Sequence, residues 1–74
     1  MDNELYKALK TKYRAVIREQ EYNVKVWFRT PTLIPEHMNI VEEIDKAIQM
    51  IADHEERLET LEKLHDETTP DLYH

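Results

Sequence analysis

Cysteine, glycine and serine are all missing from this chain of 74 residues, and proline occurs at only three places, Pro31, Pro35 and Pro70. Without cysteine there are no disulfides and no thiolate metal sites. Without glycine the chain lacks the residue that enters left-handed turns at no steric cost, which removes the phosphate-cradling loop and the dinucleotide fingerprint. Without serine a Ser-His-Asp triad cannot be assembled. No apolar run approaches the roughly 20 residues of a membrane span. The N-terminal stretch MDNELYK lacks the apolar core of a secretory signal. These absences lead to the expectation of an intracellular, cytoplasmic protein.

A chain this short makes at most one domain. Folding would bury only about 60% of its unfolded surface, so a monomeric core is marginal. Small scaffolds make up the deficit with disulfides, a metal or a partner subunit. With disulfides excluded, association is the leading candidate.

The net charge of −6 hides a division. Residues 1–34 carry seven Lys/Arg against four Asp/Glu, and residues 35–74 carry three against twelve. The halves are thus +3 and −9. Such asymmetry points to an electrostatic partner or to self-complementary packing; the plainer reading is a solvated polar face on each helix.

Asp2 or Asn3 can cap a first helix, with Glu4 favourable in its first turn. Leu5, Tyr6, Leu9, Tyr13, Val16 and Ile17 follow helical spacing within a face roughly 120° wide. Lys7, Lys10, Arg14 and Arg18 gather on the other side. The pattern predicts an amphipathic helix over 3–20. Next comes EYNVKVWFRTP, in which Tyr22, Val24, Val26 and Phe28 alternate with Asn23, Lys25, Trp27 and Arg29. Period two and β-branched or aromatic types predict a strand or extended segment over 22–30. The competing reading continues the first helix to Phe28, with Val24, Trp27 and Phe28 on one face. The scarcity of good helix formers between Val24 and Arg29, Lys25 apart, favours the strand.

Residues 30–35 read as a connector, because each proline turns its predecessor away from helix. A second helix is expected over 36–66, starting either at Pro35 or with Asn39 as N-cap and Glu42 completing a capping box. Its first half has a broad apolar face of Ile40, Val41, Ile44, Ala47, Ile48, Ile51 and Ala52. Beyond that, a seam of 3-4 spacing runs through Ile44, Ala47, Ile51, His54, Leu58, Leu61 and His65, as in a coiled coil. At about 40 Å this helix outruns the first, so its far seam is assigned to a second copy. Glu42–Lys46, Asp53–Arg57 and Glu59–Lys63 are i,i+4 pairs of favourable orientation. Residues 67–74, with Pro70 and no periodicity, read as a disordered tail.

Sites of chemistry are sparse. His54 and His65 lie eleven apart on nearly one helix face, and Glu62 with His65 has the Glu-x-x-His spacing of a helical di-iron ligand set. That set needs two such pairs and two further glutamates. The two histidines are therefore read as seam residues, with no bound metal or cofactor. His54-Glu55-Glu56 lacks the second histidine of HExxH. The acidic string Glu55, Glu56, Glu59 and Glu62 resembles helical nucleotide pyrophosphohydrolases, which bind magnesium with clustered carboxylates, but those enzymes use further helices that this chain lacks. No enzyme activity is expected; a carboxylate-rich metal-dependent enzyme is the third-ranked reading. Strand followed by helix resembles the order in ribbon-helix-helix repressors, although the second helix has no break at their inter-helix turn. DNA or RNA binding through the basic helix and the strand face is the second-ranked reading.

The sequence is therefore read as mainly α, a helix–strand–helix domain over 1–66 completed by oligomerisation through a long coiled-coil-like helix. Its expected role is that of an accessory or regulatory protein acting through protein contacts and self-association, as a homodimer or higher even oligomer. Val24, Val26, Phe28, Ile51, His54, Leu58, Leu61 and His65 are the expected oligomer contacts. Trp27 and Arg29, of types that dominate interface energetics, together with Lys10, Arg14 and Arg18, are the expected contacts to a foreign partner.

Overall fold

The computed structural model describes residues 3–30 and 39–68, with the side chain of Thr68 excepted. It contains two helices, α1 (Asn3–Arg29) and α2 (Ile40–Thr68). Early residues of α1 meet late residues of α2: Tyr6 stacks on His65, Lys10 approaches Glu62 and Tyr13 meets His54. The helices therefore run antiparallel.

Among the described residues there is no strand, and the expected strand over 22–30 is corrected to helix. α1 continues unbroken through Val24, Val26, Trp27 and Phe28 to Arg29. Thr30 N–H then closes the last turn on the Val26 carbonyl at 2.8 Å, and the basic Arg29 sits where the helix dipole favours a cation. The cause is a seam of 3-4 spacing, Tyr6, Leu9, Tyr13, Val16, Gln20, Asn23 and Trp27, every member of which is half-buried. Packing along that seam outweighs the strand preference of a few residues, since propensities differ by only about 0.7 kcal/mol per residue at most among ordinary residues. The resemblance to ribbon-helix-helix proteins loses its ribbon with this correction.

α2 begins where the capping box was placed. Asn39 Oδ1 accepts from the N–H groups of Val41 at 2.8 Å and Glu42 at 3.3 Å, and the Asn39 carbonyl takes the first helical bond from Glu43 N–H at 3.0 Å. A short polar side chain at this position satisfies donors that the first turn leaves over. Of the expected i,i+4 pairs, Asp53–Arg57 forms at 3.0 Å, whereas Lys46 turns to Glu43 at 3.4 Å. Of the expected connector over 30–35, residues 31–35 lie outside the described residues, as do 69–74 of the expected tail; Glu67 and Thr68, expected in that tail, are instead the end of α2.

The core is a thin line. Ala47 (2% exposed), Leu61 (7%) and His54 (8%) are the buried side chains among the described residues. They stand seven residues apart, at the centre of the α2 seam. The 27 residues of α1 nearly match the 29 of α2, so α1 reaches along the whole seam. The part of the seam expected to meet a second copy (Ile51, His54, Leu58, Leu61 and His65) is covered within the single chain instead.

Candidate functional site

The seam holds the polar residues that stood out in the sequence. His54 Nδ1 lies 2.8 Å from the Met50 carbonyl. A carbonyl can only accept, so Nδ1 carries the proton in this bond. The same imidazole and the Tyr13 ring meet in a T-shaped contact, with centroids 5.9 Å apart at 72°. Asp53 Oδ2 is 3.8 Å from His54 Nδ1 and also accepts from Arg57. His54 is thus a packed residue of the helix pair.

At the open end Tyr6 and His65 stack at 3.8 Å between centroids and 18° between planes. Lys10 Nζ donates to Tyr6 Oη at 3.3 Å, lies 5.3 Å from the ring centroid, and is 3.6 Å from Glu62 Oε1. Both members of the Glu62-x-x-His65 pair are therefore engaged by α1, one by a cation and one by a ring. Among the described residues no group of three or more His, Asp or Glu is placed to hold a metal ion.

The residues expected to act together in 22–29 are spread around α1. A strand aligns Val24, Val26 and Phe28, whereas a helix turns alternate residues about 200° apart. Val24 and Phe28, one turn apart, share a flank; Val26 points to the opposite flank. Trp27 is a half-buried seam residue, and Arg29 is exposed at the helix end.

Two open grooves run between the helices. One is lined by Leu9, Tyr13, Asp53, Glu56, Arg57, Thr60, Leu61 and Leu64. On the other side a groove floored by Ile17 and Leu58 has Arg14, Arg18 and Glu21 on its α1 wall and Glu55, Glu59 and Glu62 on its α2 wall. The expected basic contacts Lys10, Arg14 and Arg18 thus stand beside the carboxylates of the same chain.

The second groove continues toward the other end of the molecule as an apolar face. On α2, the stripe Val41, Ile48, Ala52, Glu55, Glu59 and Glu62 keeps helical spacing. On α1, the matching stripe is Lys10, Arg14, Ile17, Glu21, Val24 and Phe28. Phe28 is 67% exposed, Val41 70% and Ile48 48%. Sequence reasoning placed Val41 and Ile48 on a broad apolar face but missed that their stripe runs on into the acidic one. The signal was present, as both stripes flank the two seams with the same 3-4 repeat. No protein-family model, curated protein or solved structure matches the chain significantly. No helix among the described residues is long and apolar enough to cross a membrane.

Proposed function

We propose that this chain is a non-enzymatic accessory or regulatory protein that works by binding protein surfaces, its own included. The observation that carries this reading is the imbalance between the thin buried line and the exposed apolar side chains on the flanks of the helix pair, Phe28, Val41 and Ile48 on one and Leu5, Tyr22, Met50 and Leu64 on the other. Two helices leave no interior in which to preorganise a reaction, and the grooves between them are open. Large apolar side chains that share an exposed face beside a charged rim are the usual anatomy of a protein-binding surface.

Nucleic-acid binding is the competing reading, supported by the exposure of Arg14 and Arg18. Glu55, Glu59 and Glu62 across the same groove weigh against it, because phosphate approaching the arginines also approaches the carboxylates.

The experiment sets the two against each other. The protein is cross-linked in its source cell, and co-purified proteins are compared between wild type and a Phe28→Asp/Ile48→Asp variant. In parallel, random duplex and single-stranded RNA probes are titrated at two salt concentrations. The reading expects self- or partner cross-links that the double variant loses, and no probe shift. A folded, uncross-linked chain that shifts a probe in a salt-dependent way, with the shift lost on replacing Lys10, Arg14 and Arg18 by Glu, would overturn it.

A further inference from the structure

We infer that the face carrying Arg14, Phe28, Val41, Ile48 and Glu59 is an isologous surface, and that its occupant is a second copy of this chain. This rests on the protein-binding reading above and names the partner, the face and the symmetry.

The first support is exposure. Phe28 (67% exposed), Val41 (70%) and Ile48 (48%) are large apolar side chains left in water on this one flank, beside a charged rim that could pair with its own copy.

The second is the order of charge and apolar groups along the two stripes. At the open end α1 presents Lys10, Arg14 and Arg18, and α2 presents Glu62, Glu59 and Glu55. At the other end both helices are apolar, with Val24 and Phe28 on α1 and Val41, Ile48 and Ala52 on α2. The antiparallel register set by Tyr6–His65 and Tyr13–His54 brings Phe28 level with Val41, and Arg14 level with the Glu55–Glu59 turn. Consider a two-fold axis parallel to the helices and running beneath the groove. It places α1 of one copy on α2 of the other and leaves every residue at its own level. Arg14 and Arg18 then face Glu59 and Glu55 of the partner subunit, while Phe28 and Val24 face its Val41 and Ile48. Every neighbouring pair of helices in the resulting four-helix bundle is antiparallel, as in simple up-and-down bundles. Under this one operation the charged ends pair by sign and the apolar ends pair with each other, with Glu21 falling between them at the level of Ala52.

Other arrangements match less well. A two-fold axis crossing the helices at right angles turns the molecule end for end and lays Phe28 against the Lys7–Lys10 end. The opposite face, docked by the same parallel two-fold, brings the exposed Leu5 level with Leu64 and Tyr22 level with Met50, but sets Lys12 level with Arg57 and Glu19 level with Asp53. Like charges meeting at an interface are repulsive.

The test is a charge exchange read by native mass spectrometry and sedimentation equilibrium at micromolar concentration. Wild type is expected to be a dimer. Arg14→Glu/Arg18→Glu and Glu55→Lys/Glu59→Lys are each expected to weaken self-association by at least about tenfold. Mixed in equal amounts they are expected to form a one-to-one heterodimer, since both of its contacts then join opposite charges. Helicity by circular dichroism accompanies each sample; a variant that loses its helix alone and regains it in the mixture supports the same face. A wild-type dimer that both variants retain, or that only Met50→Asp and Leu64→Asp on the opposite face disrupt, would overturn the assigned face and leave self-association standing. A wild-type chain that is a folded monomer would overturn the occupant, and the cross-linking experiment above would still report on foreign partners.

Discussion

The rings of Tyr6 and His65 lie face to face, 3.8 Å apart between centroids and 18° from parallel. This contact fastens the first turns of α1 to the last turns of α2. A double-mutant cycle with Tyr6→Ala and His65→Ala, followed by urea denaturation, is expected to give a coupling energy of about 0.5–1.5 kcal/mol. Zero coupling would mean that the stacking does not persist in solution.

Continuity of α1 past residue 20 has its own probe. Lys25 is exposed, so replacing it loses little packing, yet its amide lies inside the helix. Lys25→Pro is expected to cost about 3 kcal/mol or more and to lower the ellipticity at 222 nm. A segment that ended its helix before Val24 would tolerate the change.

Leu61 is one of the few buried apolar side chains. Leu61→Ala is expected to destabilise by about 2–3 kcal/mol, at the low end of the usual range, because so thin a core can collapse around the gap. Chemical denaturation midpoints measure this directly.

His54 occupies a seam position where coiled coils prefer leucine. Its Nδ1–H bonds a carbonyl within its own helix, so removing the ring leaves no stranded donor across the interface. His54→Leu is expected to hold or raise the melting temperature, whereas His54→Asp is expected to cost on the order of 2 kcal/mol from burying a charge beside Asp53.

At the start of α2, Asn39→Ala removes the acceptor for two first-turn amides. A loss of about 1 kcal/mol is expected, and Asn39→Asp is expected to restore it, since a carboxylate accepts the same bonds and complements the helix dipole. Equal midpoints for the Ala and Asp variants would contradict this.

These residues also show why the sequence reads well in one half and badly in the other. α2 announces itself through Asn39 and a 3-4 repeat whose apolar run is interrupted by two histidines, His54 and His65. In α1 the same repeat passes through Gln20 and Asn23, two polar residues in succession. A pattern counted on apolar residues alone therefore breaks at Ile17 and restarts in Val24, Val26, Trp27 and Phe28, whose types favour strands. The seam tolerates Gln20 and Asn23 because half-buried amides still reach water while their stems pack. Reading α1 as short leaves the far seam of α2 uncovered, which is why the sequence alone assigns that seam to a second copy. The candidate docking face was legible in pieces, as a basic back, an acidic string and a broad apolar patch. Joining them needed the register between the helices.

The paired heptad seams have a consequence for the length of the molecule. Because both seams repeat every seven residues, a segment of seven can be removed from α1 only together with the seven that face it on α2. Such a paired deletion shortens the rod by about 10 Å and keeps every remaining partner in register, while an unpaired deletion slides one helix against the other. The protein is in this sense a ruler marked in heptads, and related chains of different span would be expected to differ by whole, matched units.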